Sequence, residues 1–312
     1  MSIYVIGACN IDIVAHSDRP LVYKDSNPAK ITTSLGGVGH NVAKNISSLY
    51  RDTYFVTFFG DDHLSSLAME GCIKEGLDLR YAKNKKGRQS LYIALLDQDG
   101  DMTLGVNDMQ IQEEITIEDL KDVIGVITED DYLMIDNNLA KDVIEYLLKE
   151  VKAHKFTDAI STAKAPKLRS VLHYIDTLKV NVYEAEALID KREKTEDHLA
   201  YLTKKLLEKG IKEVLLSYKE GVYLGYDGEI YRYRHHQVRD VIVNATGAGD
   251  ALLGAYIASR AKAKSIDEAI KDALIVSLLT IDHKDTVAPI DEALINDKMD
   301  MRKKIEGEKI CI

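Results

Sequence analysis

Cysteine is scarce in this chain. Cys9, Cys72 and Cys311 stand far apart, with no C-x-x-C pair. That supplies neither a disulfide framework nor a zinc site. Basic charge is short too: 41 Lys and Arg against 51 Asp and Glu, a formal charge of −10. Such a surface disfavours duplex nucleic acid, whose phosphates need clustered cations, and disfavours anionic membranes. No apolar run reaches membrane-spanning length. The opening "SIYVIGA" has no basic segment before it and reads as a buried strand rather than a signal peptide. Two common phosphate-binding signatures are missing. There is no G-x-x-x-x-G-K-[ST] loop, and the first strand is followed by "GACNID" instead of G-x-G-x-x-G. A Walker-type site is thereby excluded, and the sequence argues against a nicotinamide-dependent Rossmann enzyme. The expectation is a reduced, soluble, cytoplasmic protein without nucleic-acid or membrane partners.

What is present suits one α/β domain spanning residues 1–312, with 46% apolar residues to build its core. Buried strands are expected at 3–8, 54–60, 132–136, 177–181 and 213–218. Helices are expected at 40–50, 65–75, 140–154, 198–210, 248–262 and 267–282. This alternation predicts a doubly wound, mostly parallel sheet with helices on both faces. Hairpins are expected around "DQDGD" within 89–106 and at Asp227-Gly228 within 221–234. Residues 13–35 and 88–108 fall outside the alternation and read as a small extra β-sheet, a lid. The run "KNKKGR" (83–88) reads as a solvated loop.

Two glycine turns precede helices. "NATGAGD" (244–250) lies between β-like "DVIVNA" and helical "ALLGAYIASRAKA"; "LGGVGHN" (35–41) precedes the helix expected at 40–50. A helix N-terminus offers unpaired N–H groups and partial positive charge, and glycine lets a ligand approach the backbone. These turns suit an anion. From the turn alone, Asp250 reads first as an acid stabilising the helix dipole. Asn10 and Asp12 fall just past the first strand, at the edge where open α/β sheets bind ligands. His40 beside Asn41 reads as a structural helix-start residue.

Three motifs, in order, resemble the ribokinase-like (PfkB) carbohydrate and nucleoside kinases. They are Gly36-Gly37-Val38-Gly39-His40-Asn41 for G-G-x-G-x-N, Asn181-Val182-Tyr183-Glu184 for N-x-x-E, and Asn244 to Asp250 for [DN]-x-x-G-A-G-D. "NIDIVAHS", Asp25 to Pro28, Lys30, "SLYIALLDQDGDMTLGVNDMQI" and Asn107-Asp108-Met109 resemble, within that family, the pseudouridine kinases. The resemblance implies a ribokinase-like fold with a β lid. It implies an ATP-dependent phosphotransferase acting on an alcohol, the 5′-hydroxyl of pseudouridine. Another ribosyl or sugar substrate, or an inactive sugar or nucleoside sensor, stays open.

Roles follow residue by residue from the same resemblance. Asp250 is the implied base, with the amides of Gly247, Ala248 and Gly249 facing the transferring phosphoryl group. Asn10, Asp12, Gly36, Gly37, Asn41 and Asn107 are implied to bind the substrate. Asn181, Ser217, Gly221, Thr246, Gly249 and Lys164 are implied at the nucleotide. Glu184 and Asn181 are implied at Mg²⁺. The family's middle motif often reads K-P-N-x-x-E, and Val180 stands here at the proline. Many relatives carry Asp where this chain has Asn244, which leaves a K⁺ requirement open. "SYKEG" (217–221) departs from T-x-G-x-x-G, which leaves ATP against GTP open. Lids of relatives often pair, implying a homodimer.

Overall fold

The computed structural model describes residues 1–189, 197–235 and 246–311. Its strands are β1 (Ile3–Ile6), β2 (Asn10–Ser17), β3 (Ala29–Gly36), β4 (Thr53–Val56), β5 (Phe58–Phe59), β6 (Lys83–Asn84), β7 (Leu91–Leu96) and β8 (Met102–Asp108). They continue with β9 (Tyr132–Asp136), β10 (His154–Asp158), β11 (Thr177–Asn181), β12 (Glu213–Tyr218), β13 (Gly221–Tyr226), β14 (Glu229–His235) and β15 (Ile305–Ile310). The helices are α1 (Val38–Leu49), α2 (His63–Lys74), α3 (Gln110–Glu113), α4 (Lys121–Ile124), α5 (Lys141–Glu150) and α6 (Val182–Ile189). After these come α7 (His198–Leu207), α8 (Ala248–Ala261), α9 (Ile266–Ile281), α10 (Glu292–Asp297) and α11 (Met299–Lys303).

Among the described residues the main sheet has nine strands, ordered β15-β14-β13-β12-β11-β10-β9-β1-β4. From β4 through β12 every neighbour is parallel; β13, β14 and β15 run antiparallel to theirs. Crossovers between parallel strands lay helices on both faces, so the strands must be apolar on both. Alternate residues of β1 serve the two cores. Ile3 and Val5 belong to the core that includes α1, α8 and α9, and Tyr4 and Ile6 to the core that includes α5 and α7. A separate four-stranded sheet, ordered β3-β2-β7-β8, stands on the segments that escape the strand–helix alternation. Its edge strands β3 and β8 are almost wholly exposed.

Helix α8 is buried nearly all round because it lies between α1 and α9. Its approach to α1 depends on Gly254, where an added Cβ would stand 2.7 Å from Asn45 Cβ and 3.1 Å from the Val42 carbonyl. Even alanine there would push the helices apart.

Three expectations need correction. The helix expected over 140–154 ends at Glu150, Val151 turns extended, and His154–Asp158 is strand β10. That strand begins with His154 and Lys155, half-buried polar residues that give no alternating signal; its burial comes from β9 and β11 on either side. The strand β15 (IEGEKI) was not expected either. It is an edge strand whose middle residues face solvent, so its sequence carries charge instead of apolar alternation. The 54–60 run breaks after Val56; Phe58–Phe59 pairs with Lys83–Asn84, so part of the 83–88 segment is a short strand. The Asp227-Gly228 turn is as expected, with φ of 51° and 76°.

Asp136, at the C-terminal end of β9, is fully buried. Its Oδ2 accepts from the amides of Ala8 (2.9 Å) and Gly39 (3.1 Å). Its Oδ1 accepts from the Asn138 amide (2.8 Å) and side chain (2.9 Å). One carboxylate thus joins the turn after β1, the start of α1 and the end of β9. Asp136→Ala leaves those donors buried without acceptors, and a loss of about 3 kcal/mol is expected in urea unfolding. A loss under about 1 kcal/mol would show that the junction holds without it.

Candidate active site

Helix α8 starts from Gly247, whose φ of 85° and ψ of −12° are left-handed. A Cβ there would run into the Thr286 backbone, so both space and conformation demand glycine. The first-turn amides have no intrahelical acceptor and sit at the positive end of the helix dipole. Asp250 lies in that turn, buried, and its Oδ2 accepts from Asn41 Nδ2 at 2.8 Å. Burial pushes its carboxyl up to about 7, with help from the Asp158 charge; Lys179 and the Asn41 bond oppose the rise.

Lys179 stands beside this turn. A Cβ on Gly249 would lie 2.6 Å from its Nζ, so glycine leaves the path for the lysine. Lys179 is paired with buried Asp158 at 2.8 Å. Burial alone would lower the Lys179 ammonium, but Asp158, Glu184 and Asp250 outweigh it and raise it above its ordinary value. Glu184 is buried and reciprocally bonded to Asn181. It accepts from the Asn181 amide and side chain (2.8 Å each), while its own amide donates to Asn181 Oδ1 (3.0 Å). The N-x-x-E motif is thus a capping arrangement at the start of α6. Burial raises the Glu184 carboxyl, against the pull of Lys179.

The other face of the site comes from β2 and the turn before α1. Asn10 is registered opposite Gly36, and the Asp12 carboxylate fills the space a Gly36 side chain would take. A Cβ on Gly37 would lie 3.2 Å from the Asn10 side chain. Asn10 Oδ1 and Asp12 Oδ1 are buried acceptors with no hydrogen-bond donor among the described residues. Burial pushes Asp12 up to about 6, with His40 opposing. Asn10, Asp12, Gly36, Gly37, Asn41 and Asp250 therefore form one continuous set, with Gly249, Lys179, Glu184 and Asn181 adjoining.

The remaining expected residues lie further out. Asn107 is exposed on β8, in the row Asp12–Tyr92–Asn107, two strands and roughly 10 Å from Asp12. Tyr92 lies across Gly105, its hydroxyl 3.2 Å from Met102 Sδ, which is packing within the small sheet. Lys164 donates to Asn138 and so connects to Asp136. Ser217, opposite Asn181, donates to the Val180 carbonyl at 3.3 Å, and Gly221 opens β13. Thr246 is exposed at the limit of the described residues; Asn244 and the strand expected before it lie outside them. In the Asp25–Pro28 stretch, Asn27 closes a turn on Val22 (2.7 and 2.9 Å). Asp136, Asp158 and Lys179 were not singled out. A signal existed for Lys179, since it stands where the family's middle motif often has lysine. Asp158 ends the strand that the helical pattern concealed.

Among the described residues no group of three or more His, Cys, Asp or Glu is placed to hold a metal, and no helix is long and apolar enough to cross a membrane.

Comparison with known proteins sets this geometry in context. The family model described as "pfkB family carbohydrate kinase" matches residues 1–293. Pseudouridine kinase of Escherichia coli is 29% identical over 259 residues, covering 80% of this chain and 81% of that protein. Guanosine-inosine kinase of Exiguobacterium acetylicum is 24% identical, covering 96% and 98%. The fold matches that of Arabidopsis thaliana ribokinase complexed with ribose and ATP, with a TM-score of 0.82 over 97% of this chain and 98% of that one at 21% identity.

The Asp250 carboxyl generates a test that needs no substrate. Its folded value of about 7 lies above the ordinary 3.8. The unfolded chain releases this proton first, so stability falls as pH rises from about 4 to about 7. Asp250→Asn keeps an acceptor for Asn41 and removes the penalty. Relative to wild type it is expected to gain ~3 kcal/mol at pH 8, the difference fading near pH 4, read from urea midpoints. A pH-independent difference would refute the buried-carboxyl assignment.

Proposed function

This chain belongs to the pfkB family of carbohydrate kinases, and from that premise we propose that it transfers the γ-phosphoryl group of ATP to the 5′-hydroxyl of pseudouridine, yielding pseudouridine 5′-phosphate and ADP. The observation that carries this reading is the Asp250 carboxylate, buried beside first-turn amides of α8 that have no intrahelical acceptor and bonded to Asn41 at the start of α1. Base and anion site share one helical turn. The substrate hydroxyl gives its proton to Asp250 as its oxygen forms the bond to phosphorus, and the bond to the ADP oxygen breaks. The amides of Gly247, Ala248 and Gly249 offset charge on the phosphoryl oxygens; Lys179 beside Gly249 adds a cation. Phosphoryl transfer depends mainly on such positioning and electrostatics.

The unpaired acceptors Asn10 Oδ1 and Asp12 Oδ1 suit the donor hydroxyls of a ribosyl diol. With Gly36, Gly37 and Asn41 they form the sugar side, and Asn107 reaches the substrate when the four-stranded sheet closes as a lid. Ser217, Gly221, Thr246 and Lys164 serve the nucleotide. For Mg²⁺ the donor set is thin. Both polar side-chain atoms of Asn181 are engaged by Glu184, so Asn181 orients while Glu184 offers the charge. One carboxylate fits a cation that keeps most of its water, and Mg²⁺ would supply charge neutralisation of the phosphates. Ile31, Met102, Leu104 and Val106 expose apolar surface on the edge strands of the small sheet, which supports pairing of two lids in a homodimer.

The similarity to a guanosine-inosine kinase over nearly the whole chain favours one alternative, the same transfer to another nucleoside. ADP formation measured against pseudouridine, guanosine, inosine, ribose and fructose separates the two. Pseudouridine is expected to be the fastest. Brisk turnover of ribose with none of pseudouridine would eliminate the primary reading. Asp250→Asn is expected to bind nucleoside with little change while kcat falls about 10²–10⁴-fold. Unchanged kcat would remove Asp250 from the role of base.

A further inference from the structure

We propose that His40 is a positioning residue, whose doubly protonated ring holds the Asn41 carboxamide in the one orientation that aims its N–H at Asp250. The proposal rests on the reading of Asp250 as base. Its evidence is a chain of contacts from α2 to α8. His40 Nε2 lies 2.9 Å from Glu75 Oε2, and His40 Nδ1 lies 3.2 Å from Asn41 Oδ1. Asn41 Nδ2 lies 2.8 Å from Asp250 Oδ2.

When Asp250 is ionised, as a base must be, proton bookkeeping along this chain leaves one arrangement. An ionised Asp250 only accepts, so it must face the amide nitrogen of Asn41. The Asn41 carbonyl then faces His40, and a carbonyl also only accepts, so Nδ1 must carry hydrogen. Glu75 accepts at the opposite side of the ring, so Nε2 must carry hydrogen as well. The ring is an imidazolium, although His40 is only 2% exposed. If it loses the Nδ1 proton, two lone pairs face each other and the Asn41 amide flips. Its carbonyl then meets the Asp250 carboxylate, which is tolerable only if Asp250 holds a proton. A protonated Asp250 is no base.

Among the charged and titratable groups around the ring, Glu75, Cys72 and Asp12 favour this state and the Lys44 cation opposes it. Glu75 and Cys72 face it from α2, Lys44 lies one turn along α1, and Asp12 approaches from β2. His283 and Asp285 line the groove beyond Glu75. Burial by itself would strip the ring of its proton, but the bond and charge of Glu75, together with Cys72 and the Asn41 bond, outweigh burial and hold His40 above its ordinary 6.5. Burial likewise works against ionised Glu75, yet His40 keeps that carboxyl below its ordinary range.

The test uses the full-length protein in two independent readouts. ¹⁵N spectra of the unliganded protein report the His40 ring, and ¹³C carboxyl shifts report the Asp250 titration. At pH 7 both His40 ring nitrogens are expected to carry hydrogen. In His40→Leu the Asp250 midpoint is expected to rise by about one pH unit, because its donor is no longer held. His40→Asn places an amide N–H near the position of Nδ1, and it is expected to restore most of that shift. Glu75→Gln keeps an acceptor without the charge, and the ring is expected to lose its proton at lower pH. In turnover assays the acidic limb of the kcat profile should follow the Asp250 midpoint, with kcat falling about tenfold in His40→Leu and recovering in His40→Asn. A neutral His40 ring at pH 7 overturns the proposal. So does an Asp250 midpoint that none of the variants moves. Should no sugar or nucleoside be turned over at all, the proposed function fails, and the carboxyl titration still decides the role of His40. If His40→Leu does not fold, His40→Asn and Glu75→Gln carry the same decision.

Discussion

A single carboxamide closes the site. The Asn41–Asp250 hydrogen bond joins residues 209 positions apart and brings the turn before α1 against the turn before α8. It exists because the two helices lie almost backbone to backbone, and one turn further along each, Asn45 and Gly254 make that approach possible. A larger residue at 254 would act on the site without touching it. The helix packing that stabilises the core and the geometry that serves chemistry are therefore the same contact. Asp136 sustains it from below by fixing the start of α1 to the loop after β1.

The C-terminal edge of the parallel strands concentrates buried charge. Asp158, Glu184 and Asp250 gather around Lys179, and Asp136 stands nearer Lys164. Such a surplus is unfavourable in a low-dielectric interior unless each carboxylate finds donors or a counterion. Asp136 is satisfied by backbone amides, Glu184 by the α6 cap, and Asp158 by Lys179. Asp250 accepts from one neutral amide, Asn41, and burial pushes its carboxyl up to about 7, in the range useful for a base near neutral pH.

Much of this was legible in the residues themselves. The parallel core strands are apolar on both faces, and the Asp227-Gly228 hairpin has the turn chemistry its backbone needs. Legibility failed where tertiary neighbours supply what local sequence lacks. β10 is buried by β9 and β11 despite its polar entrance, and β15 is an edge strand whose charges face water. Cys9 and Cys72, far apart in the chain, are free thiols with sulfurs 3.5 Å apart, a proximity no spacing rule reveals. In the site, the glycine turns and Asp250 announce themselves by composition. Asp136 and Asp158 do not, because a carboxylate ending an apolar strand looks like the strand's boundary. His40 was read as structural from its place at a helix start; its partner Glu75 caps the end of α2, 35 positions away, where sequence gives no hint of contact.

The joints between the two sheets are short. Only Gly7, Ala8 and Cys9 separate β1 from β2, and only Gly37 separates β3 from α1. Long loops absorb displacement; connections of one to three residues transmit it. Two such joints flank the site, one beside Asn10 and the other beside Asn41. Any tilt of the small sheet is written directly into the spacing between its own polar row and the helix that carries the carboxamide.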